Sequence, residues 1–84
     1  MKLSWADLAW DDYLYWQKTN KAILKRINML IKEIKREPYS GVGSPEPLKH
    51  NLSDCLSRRI NREHRLVYMV LENEIVIIQC RLHY

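Results

Sequence analysis

Apolar residues recur at helical spacing up to about residue 36. From about residue 55 they alternate or run together, and a proline- and glycine-punctuated stretch lies between. Lys2-Leu3-Ser4-Trp5 is long enough only for a short strand. Ser4, with Asp7 three residues later, has the form of a capping box that starts a helix from about Ala6 to Lys18, and Asp7 suits the positive end of its dipole. Within it Leu8, Tyr13, Leu14 and Trp16, or Trp5 before it, recur near three- and four-residue intervals. That spacing assigns the aromatics to core packing rather than to a platform for stacked bases. Asn20 is a good N-cap for a second helix from Lys21 to Arg36, with Ile23, Ile27, Leu30, Ile31 and Ile34 on one face and Lys25, Lys32 and Lys35 outside. Lys35 and Arg36 suit its C-terminal dipole and Pro38 stops it, so the two helices form an antiparallel hairpin.

Glu37 to Asn51 is too irregular for helix or strand; a loop this long in a small protein is usually functional or disordered, and its prolines argue against disorder of the whole. Strands follow over Cys55 to Ile60, Arg65 to Leu71 and Ile75 to Arg81, with turns at Asn61-Arg62-Glu63-His64 and Glu72-Asn73-Glu74. Such short connections make them antiparallel neighbours, and the apolar run Val67 to Leu71 belongs at the centre. The expected fold class is α+β: a short N-terminal strand and a helical hairpin packed on a small antiparallel sheet, in a single domain over residues 1–84.

Composition adds three constraints. With 46% hydrophobic and 29% charged residues the chain is of globular type, neither disordered nor low in complexity. Cys55 and Cys80 read as reduced thiols, and the sequence carries no signal-peptide or membrane-span pattern, so a soluble cytoplasmic protein is expected. A net charge of +4 favours an anionic partner. Lys dominates before residue 44, whereas Arg58, Arg59, Arg62, Arg65 and Arg81 follow it with all three His. Arginine's planar fork matches phosphate, so the second half carries the chemistry.

The candidate chemistry gathers around Ser44-Pro45-Glu46-Pro47-Leu48-Lys49-His50. Pro45 and Pro47 fix their own φ and Pro47 drives Glu46 to an extended conformation, so this carboxylate sits on a stiffened loop. Side-chain alternation puts Arg59 on the face of Ser57 and Cys55, and Arg65 on that of Val67 and Met69. In a suitable register both guanidiniums reach one rim, which His83, beyond Arg81, can approach. Cleavage of RNA without a metal requires a base for the 2′-hydroxyl, an acid for the leaving 5′-oxygen and a cation for the charge that develops at phosphorus. Glu46, His83 and Arg65 offer one candidate for each task. The plain alternatives are that Arg65 guards a sheet edge, that His83 is a frayed terminal residue and that Arg58-Arg59 is a solvated face. Metal-ligand spacing, a phosphate-binding Gly loop and GxSxG are absent from the sequence, and no cofactor is expected.

At these residues the chain resembles the YoeB/Txe toxins of the RelE/ParE superfamily of type II toxin–antitoxin systems. The resemblance rests on Trp10-Asp11-Asp12-Tyr13, Pro45-Glu46-Pro47-Leu48-Lys49-His50-Asn51-Leu52-Ser53, Ser57-Arg58-Arg59-Ile60, Glu63-His64-Arg65-Leu66-Val67-Tyr68 and the terminal His83-Tyr84. It implies a RelE-like, microbial RNase-type fold and an endoribonuclease that cleaves mRNA in the ribosomal A site without a metal. Glu46 would be general base, His83 general acid and Arg65 the stabiliser of the transferring phosphate. Lys49 and Arg59 would hold the RNA backbone, and Tyr84 would support substrate. The implied partners are the ribosome with its mRNA and a YefM-like antitoxin. Operator DNA would be bound only through the antitoxin complex, members can form homodimers, and no membrane is involved. Two departures from the family pattern stand out: Ser44 where a basic residue is usual, and Asp54-Cys55-Leu56 where Gly and two bulky residues are commoner. The alternative functions are a non-catalytic ParE-like gyrase inhibitor, or an inactive relative, on the same scaffold and a plain RNA-binding domain.

Overall fold

The computed structural model describes residues 1–48 and 54–82. In chain order it contains β1 (Lys2–Trp5), α1 (Asp7–Thr19), α2 (Lys21–Arg36), β2 (Glu46–Pro47), β3 (Cys55–Arg59), β4 (Arg65–Leu71) and β5 (Glu74–Gln79). The strands form a five-stranded sheet of order β1-β5-β4-β3-β2, so β4, the apolar strand, is central as its composition predicts. The architecture is α+β, and the sheet is mixed rather than wholly antiparallel. β1 runs parallel to β5, with Leu3 opposite Ile75, while the other neighbours pair antiparallel. The parallel edge is unforeseen because the helical hairpin and three strands separate β1 from β5 in sequence, and such a long-range pairing leaves no local turn signal.

Side chains of α2 fill the core as their spacing predicts: Ile27, Leu30, Ile31 and Ile34 are buried against Leu66, Tyr68, Ile75 and Ile77 of the sheet. The Asn20 carboxamide accepts a hydrogen bond from the Ile23 amide at 3.1 Å, which is the expected N-cap. In α1 the expectation fails in two respects. The buried residues are Ala9, Asp12 and Trp16, whereas Leu8 and Leu14 are exposed, because a face one step round the same helix also satisfies three- and four-residue spacing. Ser4 does not cap α1 either. Ala6 occupies the N-cap without a side-chain bond, and the Ser4 hydroxyl, held in β1, donates to the Glu74 carboxylate. The aromatics divide: Trp16 is core and Trp5 and Tyr13 are half-buried, but Trp10 and Tyr15 are exposed, Tyr15 lying under the Arg81 guanidinium at 3.7 Å.

The end of β5 is tied down by α1. Trp16 Nε1 donates to the Cys80 carbonyl at 2.8 Å, and the Cys80 amide donates to Asp12 Oδ2 at 3.1 Å. Cys55 and Cys80 are free and buried, and burial, followed by the Asp12 charge, pushes the Cys80 thiol up to about 12. Burial raises the Asp12 carboxyl above its ordinary 3.8, outweighing the Cys80 amide and Arg81, which pull it down. A carboxyl raised in the folded state contributes stability that is full below the unfolded value and is lost as pH rises through the folded one. Asp12→Asn keeps an acceptor for the Cys80 amide but carries no charge, so it is expected to match or exceed the parent in stability at pH 7 and to lose this part of the pH dependence. Asp12→Ala strands that buried amide and is expected to cost about 1–3 kcal/mol. Urea unfolding of both variants at pH 4 and pH 7 checks the signs.

Candidate active site

The loop after α2 is moored to the sheet by one side chain. Alternation along β3 sends Leu56 and Arg58 to the helix-covered face of the sheet, and Arg58 is fully buried there. Its Nη2 donates to the carbonyls of Glu37 (2.5 Å) and Ser40 (3.0 Å), its Nη1 to Val42 O (3.0 Å), and its Nε to the Tyr68 hydroxyl (3.1 Å). The Tyr68 hydroxyl in turn donates to Pro38 O at 2.6 Å, and burial raises its pKa against the opposing pull of Arg58. This corrects the reading of Arg58-Arg59 as a solvated pair: Arg58 is an internal strut and only Arg59 is exposed. Gly43 completes the mooring. With φ +87°, its carbonyl accepts from the Arg59 amide at 2.8 Å, and a Cβ there would sit 3.1 Å from Arg58 Cβ and 3.2 Å from the Arg59 nitrogen.

From that anchor the chain passes through Ser44, at φ 53°, into β2. The stretch expected to be irregular thus contains a two-residue strand, in which Glu46 pairs with Ser57 and Pro47 with Leu56. A proline is tolerated there because β2 is the sheet's edge. Residues opposite one another on neighbouring strands share a face. Glu46 therefore faces the same side as Ser57, and Arg59 the same side as Arg65, its partner on β4. Gly43, Ser44, Glu46, Ser57, Arg59 and Arg65 line one cleft of about 140 Å³.

The guanidinium of Arg65 is aimed by the turn before it. Asn61 Oδ1 accepts the amides of Glu63 (2.9 Å) and His64 (2.8 Å), and Arg65 Nη1 donates to the carbonyls of Asn61 (2.7 Å) and His64 (3.1 Å). These bonds occupy one nitrogen of the fork. Among the described residues no carboxylate forms an ion pair with Arg59 or Arg65. Two like charges opposite one another on a sheet are unfavourable unless an anion lies between them. The cleft thus sets two cations beside a carboxylate, an arrangement whose charge and shape could take a phosphate-like group.

Of the residues singled out in the sequence, the structure gathers Glu46, Arg59 and Arg65. Lys49, His83 and Tyr84 lie outside the described residues. Ser44, which also lines the cleft, brings no charge to its rim. Sequence reasoning missed Tyr68 and His64 as supports and misplaced Arg58. The available signal for Arg58 was its alternation with Leu56 and Ile60, which put it on an apolar face.

Residues 5–84 match the family model described as the YoeB-like toxin of bacterial type II toxin–antitoxin systems. The chain is 60% identical to toxin YoeB of Escherichia coli over 84 residues, covering 100% of both proteins. Among solved structures, the YoeB/ParE toxin from Agrobacterium tumefaciens superposes with a TM-score of 0.97 at 48% identity, with 100% of each chain covered. Staphylococcus aureus YoeB superposes both as a dimer, with a TM-score of 0.93 and 46% identity, and in complex with YefM, with 0.92 and 47%; each comparison covers 100% of this chain and 98% of the other. The chain therefore belongs to the YoeB-like toxins of bacterial type II toxin–antitoxin systems.

Proposed function

We propose that this toxin is an endoribonuclease that cuts mRNA in the ribosomal A site and thereby stops translation. The observation that carries the reading is the juxtaposition of Arg59 and Arg65 with the Glu46 carboxylate in one cleft, with neither cation engaged by a carboxylate among the described residues. A phosphodiester fits that arrangement. Its charge meets the two guanidiniums, and its 2′-hydroxyl comes within reach of a carboxylate on a stiff edge strand.

In the proposed reaction Glu46 takes the proton of the 2′-hydroxyl and the 2′-oxygen attacks phosphorus. Arg65 stabilises the added negative charge. The bond from phosphorus to the 5′-oxygen breaks as His83 protonates that oxygen, leaving a 2′,3′-cyclic phosphate, or the 3′-phosphate formed from it, and a 5′-hydroxyl. Arg59 and Lys49 hold the RNA backbone and Tyr84 supports the substrate. No metal takes part. The family and the complex of the Staphylococcus aureus relative support a YefM-like antitoxin as partner, and that relative's dimer supports self-association. Operator DNA would be engaged only through the antitoxin.

The test is primer extension on mRNA incubated with the purified toxin, with and without ribosomes, in EDTA-treated and untreated arms for the ribosome-free RNA. Cuts that need ribosomes support the reading. Intact mRNA at toxin levels that inhibit gyrase supercoiling overturns it in favour of a ParE-like binding toxin.

A further inference from the structure

We infer that His64 is a positioning residue that holds the chain end for catalysis by gripping the backbone of Leu82. The inference rests on the proposed role of His83 as general acid. His64 is buried, with its ring edge-on to Trp16 at a centroid distance of 4.7 Å. Its Nδ1 accepts the Leu82 amide at 2.7 Å, which requires that nitrogen to be unprotonated and places the ring proton on Nε2. The Leu82 carbonyl is held as well, by the Arg65 amide at 2.8 Å. Both backbone polar groups of Leu82 are thus engaged by adjacent residues at the start of β4, while its side chain is 56% exposed.

The conformation of Leu82 shows why two bonds are needed. Its φ of 62° lies in the left-handed region, which a leucine occupies only when its surroundings determine it. The next residue in sequence is His83. The His64 carbonyl also receives Arg65 Nη1 and the amides of Ile60 and Asn61. One turn thus aims the cation proposed to stabilise phosphorus and grips the chain one residue before the proposed acid. The same turn thus bears on both proposed functions, and misplacement of a catalytic group by about 1 Å can cost about 10²-fold in rate.

The experiment measures kcat and KM for cleavage on ribosomes programmed with mRNA, using the ordinary phosphodiester and a counterpart whose leaving 5′-oxygen is replaced by sulfur, which departs without a proton. His64→Phe keeps the contact with Trp16 and removes the acceptor. It is expected to lower kcat on the oxygen substrate about 10²-fold with little change in KM, and to match the parent on the sulfur substrate. His64→Asn, whose Oδ1 can take the place of Nδ1, is expected to recover most of the rate, whereas His64→Gln is not. Should His64→Phe fail to fold, the Asn and Gln pair decides. Parental kcat in His64→Phe, equal loss on both substrates, or equal rates for Asn and Gln would overturn the inference. His83→Ala run beside them separates the two claims: full cleavage by it removes the acid itself, while its failure together with an unimpaired His64→Phe removes only the grip.

Discussion

Glu46→Gln is expected to lower single-turnover cleavage of ribosome-bound mRNA by about 10²- to 10⁴-fold, the usual contribution of one positioned base. Folding should be nearly untouched. Glu46 is exposed, its place in the sheet is held by backbone pairing with Ser57, and its carboxylate makes no hydrogen bond or ion pair among the described residues. A surface change of this kind usually stays within about 0.5 kcal/mol. Rates and urea midpoints measured on the same preparations check both halves. A rate within about threefold of the parent would remove Glu46 from the proton transfer.

Arg58→Ala is expected to have the largest effect on stability. It strands the carbonyls of Glu37, Ser40 and Val42, leaves the Tyr68 hydroxyl without its donor and opens a void in place of a fully buried side chain. The three carbonyls belong to exposed loop residues and can turn to water, so most of the loss comes from the void left by a fully buried side chain and from the Tyr68 hydroxyl, and a total of about 3–5 kcal/mol follows. A net stability of about 5–15 kcal/mol is ordinary, so a protein this small would have little left. Arg58→Lys carries the charge but not the planar fork, so it cannot serve three carbonyls and a hydroxyl at once. It should fold with reduced stability and cut slowly, because the loop that delivers Glu46 is then poorly moored. Urea unfolding separates the two variants, and an Arg58→Ala protein as stable as the parent would contradict the strut.

Periodicity carried most of the fold. The helices, the central place of the Arg65–Leu71 strand and the antiparallel pairing of β3, β4 and β5 all follow from spacing and short turns. What spacing could not supply were the contacts between distant segments: the parallel pairing of β1 with β5, the two residues of β2 laid against β3, and the choice between neighbouring faces of α1. The candidate site was readable in its residue types and in the alternation that let Arg59 and Arg65 reach one rim, whereas the register that sets them opposite one another came only with the structure. Its supports were not. A buried arginine bound wholly to carbonyls and a hydroxyl looks, in sequence, like one more basic residue beside another, and the grip of His64 on Leu82 joins residues 18 apart.

The chemistry of the cut ends tests the central claim most directly, because attack by the 2′-oxygen and attack by water partition the phosphate differently. Cleaved mRNA from the wild-type toxin on ribosomes is expected to carry a 2′,3′-cyclic phosphate or 3′-phosphate on the upstream fragment and a 5′-hydroxyl on the downstream one, with both products lost in Glu46→Gln. A 3′-hydroxyl with a 5′-phosphate would contradict proton abstraction by Glu46 from the 2′-hydroxyl and, with it, the assignment of the cleft lined by Glu46, Arg59 and Arg65.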